Sequence, residues 1–219
     1  MRRIICVWLL SLMALPAFAE TTLDVGYLRV DVPRPPVLSN LDAIPENNGM
    51  AGAQTGLKDN LTTGKFLGQT YTLTIASVPK GDDPLAAAAQ MLAETPYLIL
   101  DAPAPVLLAI ADLPQAQGAL LFNASAGDVS LRDSDCRANL FHSLPSDAMR
   151  TDALAQVLVQ KRWTDLVMIA GTFPADIAYA DAIRRSLTKF GLQLSAEKTW
   201  DADADMRRTA SQEIPLFTQ

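Results

Sequence analysis

Short, almost continuous apolar runs alternate along this chain with segments of helical pattern. Tyr97–Leu100, Ala119–Phe122 and Leu166–Ala170 are three such runs. A strand that is apolar on both sides is buried on both faces, as strands of parallel sheets are. Pro84–Glu94 and Asp176–Phe190, which lie between such runs, are predicted to be helices. We therefore predict an α/β fold with parallel sheets flanked by helices and joined by right-handed crossovers.

The N-terminus has the pattern of a secretory signal peptide. Met1–Arg3 carries two arginines, Ile4–Leu15 is apolar, and the small residues Ala17 and Ala19 follow. The apolar run is shorter than the roughly 20 residues that a membrane-spanning helix needs. We predict a signal peptide over residues 1–19, cleaved after Ala19, and a periplasmic mature protein. The alternative is an uncleaved membrane anchor.

Charge and cysteine content argue against several classes of function. The formal net charge is −6 and the sequence has no basic stripe, so no nucleic-acid partner is predicted. Of the two cysteines, Cys6 lies in the predicted signal peptide, which leaves Cys136 without a partner for an internal disulfide. A mature chain of about 200 residues is long enough to be stabilised by a buried core.

Common catalytic and cofactor-binding motifs do not occur in the sequence. G-x-S-x-G, G-x-G-x-x-G and the P-loop are absent, and so is C-x-x-C. His142 is the only histidine, and a lone histidine is more often structural than catalytic. Asp201, Asp203 and Asp205 alternate but lack the glycine and distal glutamate of an EF-hand loop. We therefore predict no catalytic residue, no metal site and no cofactor.

Polar and small residues follow the apolar runs where the predicted strands end. In open α/β sheets the carboxyl ends of the strands line the ligand crevice. A small polar ligand is therefore predicted to contact Asp101, Asn123, Ser125, Ala126 and Thr172. For Asn123 and Ser125 the alternative is a turn that caps the next element.

A proline-rich stretch, Asp31–Asn48, separates the first predicted strand from the first predicted helix. Proline removes a backbone donor and fixes φ, so an irregular loop is expected here. Long ordered loops between elements are often functional, and the alternative is a surface excursion without a role.

The middle of the chain resembles type 1 periplasmic binding proteins, the branched-chain amino acid or amide receptors of ABC transporters. Cys136 and Asn139–Asp147 are similar to the crossing between the two lobes of that family, and Lys161–Trp163 is similar to a following turn. The resemblance implies a first lobe over residues 20–142 and the start of a second over 143–219. It also implies a small-molecule solute, an inner-membrane permease as partner, and a ligand contact at the crossing. His142 stands there in place of an arginine common in the family.

A narrower resemblance is to the binding-protein-like component found with pyrroloquinoline quinone-dependent alcohol oxidation systems. Arg34–Asp42, Asn60–Gln69, Arg207–Ala210 and Glu213–Gln219 carry it. It implies a receptor whose importer is linked to alcohol catabolism.

The sequence stops at Gln219, whereas members of the family continue with further strands and helices. We therefore expect the second lobe to be incomplete, either because the gene is truncated or because the remainder is elsewhere. Hinge closure around a ligand would be impaired by truncation. The leading hypothesis is a binding protein without enzymatic activity. The alternatives are a periplasmic enzyme that uses the same crevice and a non-transport accessory of a dehydrogenase.

Overall fold

The computed structural model describes residues 20–33, 44–200 and 213–218. Several sequence predictions fall outside these ranges and are not discussed structurally. They are the signal peptide, the strings Arg34–Asp42 and Arg207–Ala210, the aspartates between 201 and 205, and the middle of the proline-rich stretch.

Five parallel strands form the larger sheet, in the order β2-β1-β3-β4-β5. Each neighbouring pair runs parallel, which confirms the predicted parallel α/β fold. The strands are β1 (Thr21–Val30), β2 (Gln69–Val78), β3 (Tyr97–Asp101), β4 (Leu120–Asn123) and β5 (Leu140–His142).

Three helices connect the first four strands: α1 (Met50–Leu67), α2 (Pro84–Leu92) and α3 (Ala104–Ala111). Local sequence sets their ends. The Asp83 side chain accepts a hydrogen bond from the backbone N–H of Leu85 at 2.9 Å and so caps the N-terminus of α2. Gly68, with φ +67°, ends α1 in the left-handed conformation that glycine adopts without strain.

A second, smaller sheet follows the first along the chain. It pairs β6 (Leu166–Gly171) with β7 (Leu194–Trp200) in parallel, and α4 (Asp147–Lys161) and α5 (Pro174–Lys189) accompany it. The two helices pack through a small apolar core that includes Ala155, Leu187 and Leu192. The described helices include none with the length and hydropathy needed to cross a membrane.

One face of the larger sheet is sealed by α2 and α3. Leu98 and Leu100 of β3 and Leu121 of β4 are fully buried there, together with Leu107 and Ile110 of α3. Burial of a leucine side chain contributes about 1.5 to 3 kcal/mol, so this layer is the main source of stability in the first sheet.

The opposite face of β4 and β5 is much more open. Successive residues of a strand point to opposite faces, so Leu120 lies across the sheet from Leu121. Leu120 is 39% exposed and Phe141 of β5 is 46% exposed. Helix α1 packs against β2 and β1, and therefore covers the other end of the sheet.

Leu120 and Leu121 are a matched pair for testing the difference between the open face and the sealed face of the larger sheet. Leu121→Ala should lower the free energy of unfolding by about 2 to 5 kcal/mol, because it opens a cavity in a sealed layer. Leu120→Ala should cost less than about 1 kcal/mol, since its side chain is already partly hydrated. Urea unfolding followed by circular dichroism measures both. Equal losses would contradict the open face.

Candidate functional site

The strand order places a topological switch point between β1 and β3. The connections that follow these two neighbouring strands run in opposite directions across the sheet. Open α/β sheets have a crevice at the carboxyl ends of two such strands. In sheets of the order 2-1-3-4-5 this crevice is the usual ligand-binding place. Arg29 of β1 and Asp101 of β3 are register partners at this point.

Tyr27 and Asp101 are joined by a hydrogen bond across the switch point. The Tyr27 hydroxyl donates to Oδ2 of Asp101 at 3.1 Å. Tyr27 is 3% exposed, whereas Asp101 is half-buried. Burial, followed by the neighbouring Asp101 charge and this hydrogen bond, raises the pKa of Tyr27 to about 12. The hydroxyl therefore remains a donor that orients the carboxylate.

The N-terminus of α1 lies directly against this pair through Gly49. Its φ of +79° is a left-handed conformation, and a Cβ there would lie 2.3 Å from the Tyr27 hydroxyl oxygen and 3.0 Å from Oδ2 of Asp101. Only glycine satisfies both conditions without a shift of the surrounding atoms. Gly49 therefore allows the helix to approach the switch point.

Arg29 anchors both described ends of the proline-rich stretch. Its guanidinium donates to the carbonyl oxygen of Glu46 and forms an ion pair with Asp31 at 3.3 Å. The side chain is nearly buried, so these partners compensate the cost of removing its charge from water. The stretch is thus held at its start and end beside the crevice.

Asn123 builds the turn that follows β4. Its Oδ1 accepts from the backbone N–H groups of Ser125 at 3.1 Å and Ala126 at 2.9 Å. Its Nδ2 donates to the carbonyl oxygen of Ala126 at 2.8 Å and lies 3.1 Å from Nδ1 of His142. The side chain is fully buried and these contacts use its whole hydrogen-bonding capacity. Asn123 therefore shapes the turn that presents the next residues.

Ser125 is exposed at the tip of that turn. Its hydroxyl donates to the carbonyl oxygen of Ala102 at 3.3 Å, which links the end of β4 to the residue after Asp101. A hydroxyl that donates one hydrogen bond still has lone pairs with which to accept others. Ser125 is thus able to accept a hydrogen bond from a solute in the crevice.

His142 ends β5 and belongs to the same hydrogen-bonded group. Burial lowers its pKa first, the nearby Arg132 charge lowers it further, and a backbone hydrogen bond with Leu131 acts in the opposite direction. The hydrogen-bond network assigns Nδ1 as the acceptor from the Asn123 amide, which is the role of a neutral imidazole.

The structure brings five of the six predicted ligand-binding residues to one edge. Asp101, Asn123, Ser125, Ala126 and His142 all lie at the carboxyl ends of neighbouring strands of the larger sheet. Thr172 is exposed and directly follows β6, a strand of the smaller sheet.

Sequence reasoning missed Tyr27, Arg29 and Gly49. A sequence signal for Tyr27 and Arg29 did exist. The two polar residues are two positions apart near the end of a predicted strand, so their side chains lie on the same face of β1.

Two shallow cavities lie away from this edge. One, of about 390 Å³, runs along α1 and is lined only by residues of that helix, Leu57 and Leu61 among them. The other, of about 180 Å³, lies between β6 and α5 and includes Gly171 and Asp176. No group of metal-ligating side chains suited to an ion was found within residues 20–33, 44–200 and 213–218.

The lowered pKa of His142 predicts a pH dependence of stability. Its contribution is complete above about pH 6.5, and it is lost as the pH falls below 6.5 towards the pKa of the folded state, because the unfolded chain takes up the proton first. Wild type should therefore lose more stability between pH 7.5 and pH 5 than His142→Gln. Urea unfolding at both pH values measures this difference. Equal losses in the two proteins would contradict it.

The hydrogen bonds of Asn123 predict that its side chain contributes to the stability of the fold. Asn123→Ala leaves several buried groups without partners and should cost at least about 2 kcal/mol of unfolding free energy. Asn60→Ala on the exposed side of α1 is the control, with an expected change within about 0.5 kcal/mol. Denaturant unfolding of both variants checks the prediction. A cost at Asn123 as small as that at Asn60 would show that the turn does not depend on the amide.

Solved structures share this fold at low sequence identity. An ABC transporter substrate-binding protein from Desulfitobacterium hafniense is 14% identical with a TM-score of 0.63, and the alignment covers 90% of this chain and 56% of that chain. A structure from the same organism in complex with Leu is 15% identical with a TM-score of 0.62, over 90% of this chain and 56% of that one.

A branched chain amino acid ABC transporter periplasmic ligand-binding protein from Burkholderia xenovorans LB400 is 16% identical with a TM-score of 0.67. That alignment covers 88% of this chain and 50% of the other. The chain therefore spans about half the length of these structures, and at such identity the likeness shows the fold alone.

The sequence profile described as "Periplasmic binding protein" matches residues 39–212. No curated protein matches the chain. Because the profile match covers most of the sequence, the chain belongs to the periplasmic binding protein family.

Proposed function

We propose that this protein is the periplasmic solute-binding component of an ABC transporter, and that it binds a small polar molecule at the carboxyl edge of the larger sheet. The observation that carries the proposal is the polar group at the switch point. There the Tyr27 hydroxyl orients Asp101, and Ser125 is tied to the neighbouring Ala102. Family membership supports a solute-binding role.

The contacts at this edge support a binding site more than a catalytic one. The Ser125 hydroxyl donates to a backbone carbonyl, and the imidazole of His142 contacts the Asn123 amide. A serine nucleophile would need its hydroxyl within reach of a general base such as histidine. The arrangement therefore favours recognition of a solute by hydrogen bonds.

Transport requires a second surface that closes over the solute. In the proposal, residues 20–142 form the first lobe and residues 143–219 begin the second, with Thr172 on the second lobe facing the solute. A ligand favours the closed form only through its higher affinity for that form. The loaded protein would then be recognised by a membrane permease.

The names of the relatives indicate which solutes to test first. One relative was solved in complex with Leu and another is named for branched chain amino acids. The narrower resemblance adds alcohols and their acids, because it links the receptor to pyrroloquinoline quinone-dependent alcohol catabolism. The described residues that carry this link are Asn60–Gln69 and residues 213–218.

Calorimetry with the purified chain tests the proposal. Amino acids, short alcohols and the corresponding acids are titrated in turn, and at least one is expected to bind saturably without turnover. Ser125→Val removes the hydroxyl at the turn and should weaken binding by roughly 3-fold to 10-fold, the value of one hydrogen bond. Ser134→Val, at an exposed serine in the loop before β5, is the matched control and should bind like the wild type.

Two results would contradict the proposal. Absence of saturable binding for every solute class would remove the receptor function. Turnover of a bound solute, measured by product analysis, would point instead to an enzyme that uses the same edge.

A further inference from the structure

An Asn-Gly pair lies where the proline-rich stretch meets α1. Asn48 and Gly49 are both exposed, and they belong to a turn in which the backbone N–H of Asn48 donates to the carbonyl oxygen of Pro45 at 3.0 Å. The Asn48 side chain forms no hydrogen bond with any residue that the structure describes. Its carboxamide is therefore free to rotate towards the main chain of the next residue.

The backbone nitrogen of Gly49 is also accessible. Its N–H takes part in no hydrogen bond within the described part of the chain, whereas the carbonyl oxygens of Asn47 and Gly49 accept from Ala51 and Ala53. Glycine has no Cβ to shield this nitrogen from a neighbouring carbonyl carbon. The nitrogen also lies at the N-terminus of an 18-residue helix, where the macrodipole stabilises negative charge. An electrophile and a nucleophile thus stand side by side in an exposed turn.

We propose that Asn48 is a site of spontaneous deamidation, and that the reaction alters the switch point through Gly49. The deprotonated backbone nitrogen of Gly49 attacks Cγ of Asn48, and the new N–Cγ bond closes a succinimide ring. The Cγ–Nδ2 bond breaks, and the nitrogen takes up a proton and leaves as ammonia. Water then opens the ring at either carbonyl group and yields aspartate or isoaspartate. Water is the only co-reactant, and the inference does not rest on the proposed function.

The isoaspartate product lengthens the backbone directly before Gly49. Its main chain runs through the side-chain carbon, so one methylene group is added between the turn and the helix. Gly49 has no room to move towards the sheet, because even a Cβ there would lie 2.3 Å from the Tyr27 hydroxyl oxygen and 3.0 Å from Oδ2 of Asp101. The longer backbone should therefore displace Gly49 and the first turn of α1 away from the Tyr27–Asp101 pair.

The aspartate product keeps the normal length of the backbone. It adds a carboxylate close to the N-terminus of α1, where the macrodipole stabilises a negative charge. The aspartate form should therefore retain the contacts of Gly49 and differ from the original chain in charge alone.

Mass spectrometry of the full chain after incubation at neutral and mildly alkaline pH tests the site. The peptide that contains Asn48 should gain the mass difference between NH₂ and OH, and its fragment ions should show both aspartate and isoaspartate at position 48. Conversion should be faster at the higher pH, because the attack needs a deprotonated Gly49 nitrogen. Asn60 is the internal control. It is equally exposed, but its Nδ2 donates to the Gly56 carbonyl oxygen at 2.7 Å and Leu61 follows it within α1, so it should remain asparagine.

Two variants separate the added charge from the added methylene group. Asn48→Ser cannot form the imide and should stay a single species on ion-exchange chromatography, under conditions that split the wild type into fractions. Freshly purified Asn48→Asp carries the charge on a normal backbone. Its ¹⁵N amide shifts at Tyr27 and Ala102 should match the wild type, whereas the isoaspartate fraction of the wild type should differ at both residues.

Three results would overturn the proposal. A synthetic peptide of residues 44–53 that deamidates while Asn48 of the folded chain does not would show that the turn protects the asparagine. Conversion of Asn60 as fast as Asn48 would show that the local geometry has no effect. Isoaspartate at position 48 with unchanged shifts at Tyr27 and Ala102 would remove the link to the switch point. Solute binding is measured separately by calorimetry, so each of these failures leaves the proposed function standing.

Discussion

The sealed layer beneath the larger sheet determines the rest of this structure. Leu98, Leu100 and Leu121 are fully buried against α3, and neighbouring leucines of the core complete the layer. Parallel strands that pack on one such layer have their carboxyl ends at the same edge of the sheet. The residues that follow β1, β3, β4 and β5 therefore lie near one another at that edge. The site is a consequence of this alignment.

The polar edge shows how the chain arranges groups that burial would otherwise penalise. Buried polar atoms need partners, and Asn123 and Arg29 find theirs within the protein. Asp101 differs, because among the described residues its side chain bonds only to the neutral Tyr27 hydroxyl, and it is half-buried. The groups that are satisfied internally hold the edge in shape, and Asp101 and Ser125 are the side chains to which the proposal assigns recognition.

The sequence was sufficient to predict the parallel fold and much of the edge. Apolar runs identified the strands, and the rule that strand ends line the crevice identified Asp101 and Ser125. It was insufficient for Tyr27 and Gly49. Tyr27 and Asp101 are 74 positions apart, and their contact depends on β1 lying beside β3. The pairing of strands is a nonlocal property that periodicity does not encode, and the close approach of α1 at Gly49 follows from that packing.

Hydrogen exchange at single-residue resolution tests the central claim most directly, which is that the carboxyl edge of the larger sheet holds the solute. Exchange is compared with and without a solute that binds in calorimetry. The account predicts slower exchange at Ala102 and at residues 124–127, where the ends of β3 and β4 meet. Slower exchange confined to the α1 groove at Leu57 and Leu61, or to the amino ends of the strands, would contradict it.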